Sequence, residues 1–302
     1  MCGIVAVVGH RGDRVLPNLA ELRETLADAR ERLQRLEGPD GLALDAVARA
    51  CAAVDEQLRG AAGQGALLGD PVARAGLDHD AATCSELVQA LESKLDNAAI
   101  ASADVEALNA AVLACKDSLW AIRNDRIGGA RAIEDLAAGP PSGPAALDAF
   151  HEMQVALASI DRLEVRGRDS AGLHVLVTGH DLDLDDPAVA RLIDQRAADP
   201  LFTAGSVRTP DGKLSFVYKT AAEIGELGDN TARLRAQIRA DELLRLALRA
   251  PGARAAVLAH TRWASIGIIS EANAHPLNGE EMDRNAAPAA YVTAVLNGDV
   301  DN

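Results

Sequence analysis

At 302 residues, 48% of them hydrophobic, the chain is long enough for one large domain or two moderate ones with a real core. A net charge of -15 argues against non-specific nucleic-acid binding, which clustered Lys and Arg drive, and no apolar run approaches the ~20 residues of a membrane span or the form of a secretory leader. These limits predict a folded, soluble, cytoplasmic protein whose core, at 2% aromatic residues, is packed from Ala, Leu, Val and Ile and leans towards helix.

Ile4 to Val8 is a short apolar, β-branched run ending at Gly9, which predicts a buried strand that fixes the chain terminus in place. From about residue 18 to 138 the pattern is helical throughout. Leu19, Leu22, Leu26, Ala29, Leu33 and Leu36 alternate three and four apart until Gly38-Pro39-Asp40-Gly41 ends the first helix near Glu37. Leu44, Val47, Cys51, Val54 and Leu58 repeat the spacing, and Gly60 to Gly69 loosens the chain. Thr83 with Glu86 fits a capping box opening a third helix through Leu87, Leu91 and Leu95. Val105, Leu108, Val112, Cys115, Leu119 and Ile122 make a fourth, with Gly128-Gly129 beyond it. Such seams serve either a bundle that packs on itself or an arm for partner docking or homo-oligomer formation, and the sequence leaves both open.

The stretch Gly139-Pro140-Pro141-Ser142-Gly143-Pro144 marks a boundary, since prolines and glycines cannot continue a helix. An apolar face at helical spacing follows from Ala145 to about Leu163, then a strand Leu173 to Val177, a turn at Pro210-Asp211-Gly212 and a strand Leu214 to Tyr218. Thr231 to Arg249 reads as one amphipathic helix capped at Asp229 or Asn230; Ala255 to Leu258 and Tyr291 to Leu296 are further short apolar runs. Outside the helical stretch the pattern is α+β.

Cys2, Cys51, Cys84 and Cys115 form no CxxC pair and give neither a disulfide framework nor a zinc site. The last three read as small buried hydrophobes. His260 and His275 lack a third ligand at a useful spacing, so they read as core or loop histidines and no metal or other cofactor is expected. Cys2 differs because removal of Met1 would give one residue both a thiol and a free α-amine. An aqueous thiol titrates near ~8.5 and an α-amine near ~7.7 to 8, so the amine can take the thiol proton near neutral pH and no histidine is needed.

Three further segments add weight: Leu163-Glu164-Val165-Arg166-Gly167-Arg168-Asp169-Ser170-Ala171-Gly172, His260-Thr261-Arg262-Trp263-Ala264-Ser265-Ile266-Gly267, and Asn297-Gly298. With the MCGIVAVVG terminus and Ser270-Glu271-Ala272-Asn273-Ala274-His275-Pro276, they resemble class II glutamine amidotransferases, above all the glutaminase domain of the glutamine-fructose-6-phosphate aminotransferases. The resemblance covers residues 1 to 10 and roughly 145 to 302, in the family's order. It implies a four-layer αββα N-terminal-nucleophile hydrolase sandwich: residues 1–17 supply the first strand, 18–144 form a long all-α insertion where the family has one short helix, and 145–302 supply the remainder.

The resemblance also implies roles. Cys2 would attack the side-chain amide of glutamine, and the glutamyl thioester would be hydrolysed by water. Asn297, through its side-chain amide, and Gly298, through its backbone N–H, would hold the oxyanion. Arg262 would grip the substrate carboxylate with help from the Ser265 hydroxyl, and Trp263 would cover the site. Arg166, Asp169 and Thr261 would support it. Read alone, Arg166 and Asp169 make an ion pair at a turn, and Asn297-Gly298 is an ordinary turn signal.

Three departures stand beside these matches. Ile266 and Leu296 occupy positions where the family usually has histidine. The family's aspartate that binds the substrate's amino group lies beyond Asn302, so the chain looks like a fragment truncated at the C-terminal side of the domain. The parent's downstream domains would then supply the sugar phosphate acceptor, fructose 6-phosphate. The competing expectations are a class II transferase with another acceptor and a catalytically weak regulatory or scaffold protein that acts through the helical insertion.

Overall fold

The computed structural model describes residues 2–10, 12–36, 40–95, 102–221, 226–264, 267–279 and 291–298. The chain divides into two compact units, one of Gly12–Ala132 and one of Met1–Arg11 with Ile133–Asn302. Residues 133–144, read from the sequence as part of the insertion, thus group with the second of these. No helix among the described residues is long and apolar enough to cross a membrane.

The Gly12–Ala132 unit is helical. Helices α1 (Leu19–Arg35), α2 (Gly41–Gln57), α4 (Pro71–Leu95) and α5 (Ser102–Trp120) pack α1 on α4, α2 on α5, and α1 on α2. Their seams meet in one core that includes Leu26, Val47, Cys51, Leu77, Cys84, Cys115 and Leu119, all fully buried. Burial pushes the three thiols up, Cys84 to about 11 and Cys115 to about 12, so they are packing groups rather than nucleophiles.

Three local expectations fail here. Residues 60–69 are not loose but form α3 (Gly60–Gly69), because four good helix formers, Ala61, Ala62, Ala66 and Leu67, outweigh the glycines and Leu67 is drawn into the core. Thr83 does not open a helix. Its hydroxyl donates to the His79 carbonyl at 3.0 Å within α4, which starts at Pro71 with Asp70 accepting from the Ala73 N–H at 2.8 Å; Asp-Pro was the stronger start signal. The Gly128-Gly129 pair does not end the fourth helix, since a π-helical turn, Ala121–Ile127, carries it into α6 (Gly128–Leu136).

The other unit is mixed α/β with an antiparallel sheet. Five strands, β1 (Gly3–Val8), β2 (Ser170–Thr178), β3 (Val207–Arg208), β4 (Leu214–Ala221) and β5 (Arg254–Arg262), pair in the order β1-β5-β2-β4-β3. Helix α7 (Pro144–Leu163) packs on β1 and β5, and α9 (Asp229–Ala240) on β2 and β4. A second sheet pairs β6 (Leu277–Asn278) with β7 (Thr293–Ala294), so only two residues of the run Tyr291 to Leu296 become strand.

Strand β1 is an edge strand, not a buried one. Among the described residues it pairs with β5 alone, and its Ile4 and Val8 side chains are exposed while the Gly3 face is covered. The helix expected over Thr231–Arg249 is two helices, α9 and α10 (Glu242–Ala247), broken at Asp241. Asp241 turns inward to meet Arg196 of α8 (Pro187–Ala197), a helix the apolar pattern did not announce although Asp186-Pro187 begins it. Neither Asp229 nor Asn230 caps α9. Gly228 does so in the left-handed region (φ 97), while Asn230 Nδ2 donates to the Arg168 carbonyl at 2.9 Å.

Strand β2 carries His174, 6% exposed, with its Nε2 2.7 Å from the Ser215 hydroxyl. Burial pulls its pKa down to about 4. The unfolded chain takes up a proton near ~6.5 and the folded one only near the lower value, so this contribution is complete above ~6.5 and is lost as pH falls towards 4. Denaturant unfolding followed by Trp263 fluorescence in a Trp120→Phe background should show a His174 contribution of roughly 3 kcal/mol to acid destabilisation. His174→Gln should remove its share of that dependence and leave the part that His260 and His275 contribute; the same slope in the variant would contradict the assignment.

Candidate functional site

The N-terminal end of β1 meets the C-terminal end of β5. Gly3 sits opposite Thr261, and the same antiparallel register continued by one residue sets Cys2 beside Arg262. On the other side of β5, Arg262 faces Ser170 at the start of β2. Three strands therefore bring the chain terminus and two distant segments to one end of the sheet.

Close approach here depends on glycine. A Cβ on Gly3 would stand 2.8 Å from both Leu163 Cβ and Thr261 Oγ1, and the buried Thr261 hydroxyl accepts the Gly3 N–H at 3.2 Å. A Cβ on Gly167 would lie 2.6 Å from the Trp263 nitrogen. The Asp169 N–H donates to the Arg262 carbonyl at 3.1 Å, and its carboxylate accepts the Ala264 N–H at 2.6 Å. Asp169 thus ties the loop after β5 to the start of β2. The ion pair with Arg166 does not form: Arg166 is exposed, and the Asp169 carboxylate is engaged by the Ala264 N–H instead.

Asn297 arrives from 295 residues away, its Oδ1 accepting the Cys2 backbone N–H at 3.2 Å. Cys2 is half-buried and carries a free thiol. Arg262 Nη1 is 3.5 Å from the Ile268 carbonyl, which also accepts from Asn273 Nδ2 at 3.0 Å, so the loop after β5 folds back towards its own arginine. Trp263 is 56% exposed, and Gly298 is exposed with open space around it. Ser265 and Ile266 lie outside the described residues. Cys2, Thr261, Arg262 and Asn297 are therefore drawn together, with Asp169 bracing the loop, while Arg166, Trp263 and Gly298 line the solvent side.

Two residues read from the sequence only as core or loop histidines turn out to belong to this arrangement. His260 Nε2 lies 3.1 Å from the Leu296 carbonyl, and the Leu296 N–H donates to His275 Nδ1 at 3.3 Å. The rings meet edge to face with centroids 4.6 Å apart. Gly172 makes the approach possible, since a Cβ there would be 2.1 Å from the His275 carbonyl oxygen. The signal available in the sequence was the placement of His260 beside Thr261-Arg262 and of His275 within the Asn273–Pro276 block. Among the described residues no group of three or more His, Cys, Asp or Glu is placed to hold a metal ion.

These residues surround the Cys2 thiol with an amide, an arginine and a buried hydroxyl. No family model, curated protein or solved structure matches the chain.

Proposed function

We propose that the chain is the glutamine-hydrolysing domain of a class II amidotransferase, an N-terminal-nucleophile hydrolase of the αββα sandwich kind, and that it supplies ammonia for an acceptor of the fructose 6-phosphate type. The observation that carries this reading is the bond between the Cys2 N–H and Asn297 Oδ1 across 295 residues, beside an arginine in register on the neighbouring strand. The five-stranded antiparallel sheet with α7 and α9 on it suits one half of such a sandwich. Glutamine is the substrate, and no cofactor takes part.

In this mechanism Met1 is removed and the α-amine of Cys2 takes the thiol proton. The sulfur attacks the side-chain carbonyl carbon of glutamine. Negative charge gathers on the carbonyl oxygen, where the Asn297 amide N–H and the Gly298 backbone N–H donate to it. Asn297 is suited to this because its Oδ1 is already engaged by the Cys2 nitrogen, which orients the amide and leaves Nδ2 as donor. The C–N bond breaks, the proton passes from the amine to the departing ammonia, and a thioester remains. Water then loses a proton to the same amine, attacks the thioester, and releases glutamate and the thiol. Arg262 grips the substrate carboxylate with a bidentate geometry that lysine cannot reproduce, with Ser265 assisting and Trp263 covering the site.

Loss of one oxyanion donor costs ~2.7 to 4 kcal/mol. Asn297→Ala should therefore lower kcat for glutamine hydrolysis about 100- to 1000-fold with a much smaller change in KM, since the contact forms chiefly in the transition state. Steady-state glutamate release checks this. A variant with wild-type kcat would remove Asn297 from the mechanism.

A further inference from the structure

The proposed oxyanion donor belongs to an exposed segment. Leu296, Asn297 and Gly298 follow the two-residue strand β7 and are themselves exposed. The Leu296 peptide is nevertheless gripped on both polar atoms by imidazoles, its carbonyl by His260 Nε2 and its N–H by His275 Nδ1. The two rings are packed against each other. His260 is fully buried on β5, two residues before Arg262, and His275 lies over Gly172 of β2.

We propose that His260 and His275 are positioning residues, a clamp that fixes the Leu296 peptide and thereby aims Asn297 at Cys2, and that protonation of His275 opens it. The use of this clamp in catalysis rests on the glutaminase reading above; the clamp itself does not.

The hydrogen-bond roles require particular proton positions. To accept the Leu296 N–H, His275 Nδ1 must carry no proton. To donate to the Leu296 carbonyl, His260 must carry its proton on Nε2. His275 is then neutral, and burial keeps His260 neutral as well. Burial favours this state at both, and neighbouring cations reinforce it: Arg262 of β5 and Lys219 of β4 at His275, and Arg262 at His260, where a charge on His275 would further disfavour a second one. His260 is pushed down to about 4 against the opposing effect of its bond to the Leu296 carbonyl, and His275 lies below the ordinary histidine range, where accepting the Leu296 N–H also favours the neutral ring.

A proton added to His275 Nδ1 would set two donors against each other at the Leu296 nitrogen. The segment would then be held from one side only, and the amide of Asn297 would lose its fixed direction. The sign follows from the lowered pKa: the clamp is closed at neutral pH and opens on the acid side of the ordinary histidine range.

Amide hydrogen exchange at Leu296 and Asn297, expressed as protection relative to the unfolded rate, can be followed by NMR from pH 7.5 downwards with the His275 ring resonances as the reference. The full-length protein serves as wild type, beside His275→Ala and His275→Asn. Asparagine keeps an acceptor near the Nδ1 position but cannot gain a proton there. Protection at Leu296 should fall together with His275 protonation in the wild type. It should be reduced at least tenfold at every pH in His275→Ala, and in His275→Asn it should be recovered and persist into acid.

In parallel, kcat for glutamine should fall in His275→Ala with KM less affected, and recover in His275→Asn at neutral pH. Equal Leu296 protection in wild type and His275→Ala, or wild-type protection unchanged through the His275 titration, would overturn the clamp. Exchange behaviour as expected, combined with no glutamine hydrolysis by any form, would uphold the clamp and remove the glutaminase reading instead.

Discussion

Glutamine hydrolysis is expected to disappear in Cys2→Ala, with a fall of roughly 10⁶-fold, the scale seen when an enzyme's nucleophile is removed. The fold should survive, because Cys2 is only half-buried and the register between β1 and β5 is carried from Gly3 onwards by backbone bonds. A form that retains Met1 should be just as inactive while keeping its thiol, since its Cys2 nitrogen is an amide that cannot accept a proton. This pair separates the present mechanism from one using a histidine base, for which Met1 retention would matter far less. Glutamate release and circular dichroism on the same preparations check both parts.

The second large effect concerns stability. Asp241 is 97% buried at its side chain, given 3% exposure there, and meets Arg196 through two bonds at 2.9 and 2.6 Å. It also accepts the Tyr218 hydroxyl at 2.8 Å and caps α10 through the Leu244 N–H at 3.0 Å. Removing one partner of a buried ion pair strands the other, at a cost of about 3 to 5 kcal/mol. Asp241→Ala should therefore destabilise the sheet-containing unit by that amount, with the Tyr218 hydroxyl and both Arg196 Nη groups losing their acceptor while Arg196 Nε keeps the Gly205 carbonyl. Denaturant unfolding measures it. A loss below about 1 kcal/mol, the range of exposed pairs, would show that the network is not the buried tie described.

How far the sequence reveals the fold can be argued from these elements. The seams of α1, α2 and α5 were legible because each buries a single face at helical spacing, as Leu22, Leu26, Ala29 and Leu33 do. Strands β2, β4 and β5 announced themselves as apolar runs but ran longer than those runs, since Ser170, Lys219 and His260 are also buried in the sheet, and polarity had hidden them. The split between α9 and α10 was invisible because its cause is an arginine 45 residues away. The edge position of β1 was likewise hidden, for an apolar run states that a strand forms and not how many neighbours it has.

The candidate site was legible only in its parts. Cys2, Arg262 and Asn297 stood out through the motifs that contain them, but their meeting depends on the register of β1 with β5 and on a contact spanning 295 residues. The roles of His260 and His275 could not be read at all, because their partner is the main chain of Leu296. Leucine at that position says nothing of a peptide group held at both ends. Asp169 shows the same limit, since its partner proved to be the Ala264 N–H rather than the arginine three residues before it.

The central claim is that Cys2 forms a glutamyl thioester. Its most direct test is intact-mass analysis of the acid-quenched full-length protein during turnover of glutamine, with glutamate and ammonia quantified in the same reaction, both with and without fructose 6-phosphate. The account predicts loss of Met1, equimolar release of the two products, and a transient mass increase of one glutamyl group on Cys2 that is missing in Cys2→Ala. A folded, Met1-processed wild type that releases neither product under either condition, or a Cys2→Ala variant that releases them at the wild-type rate, would contradict it.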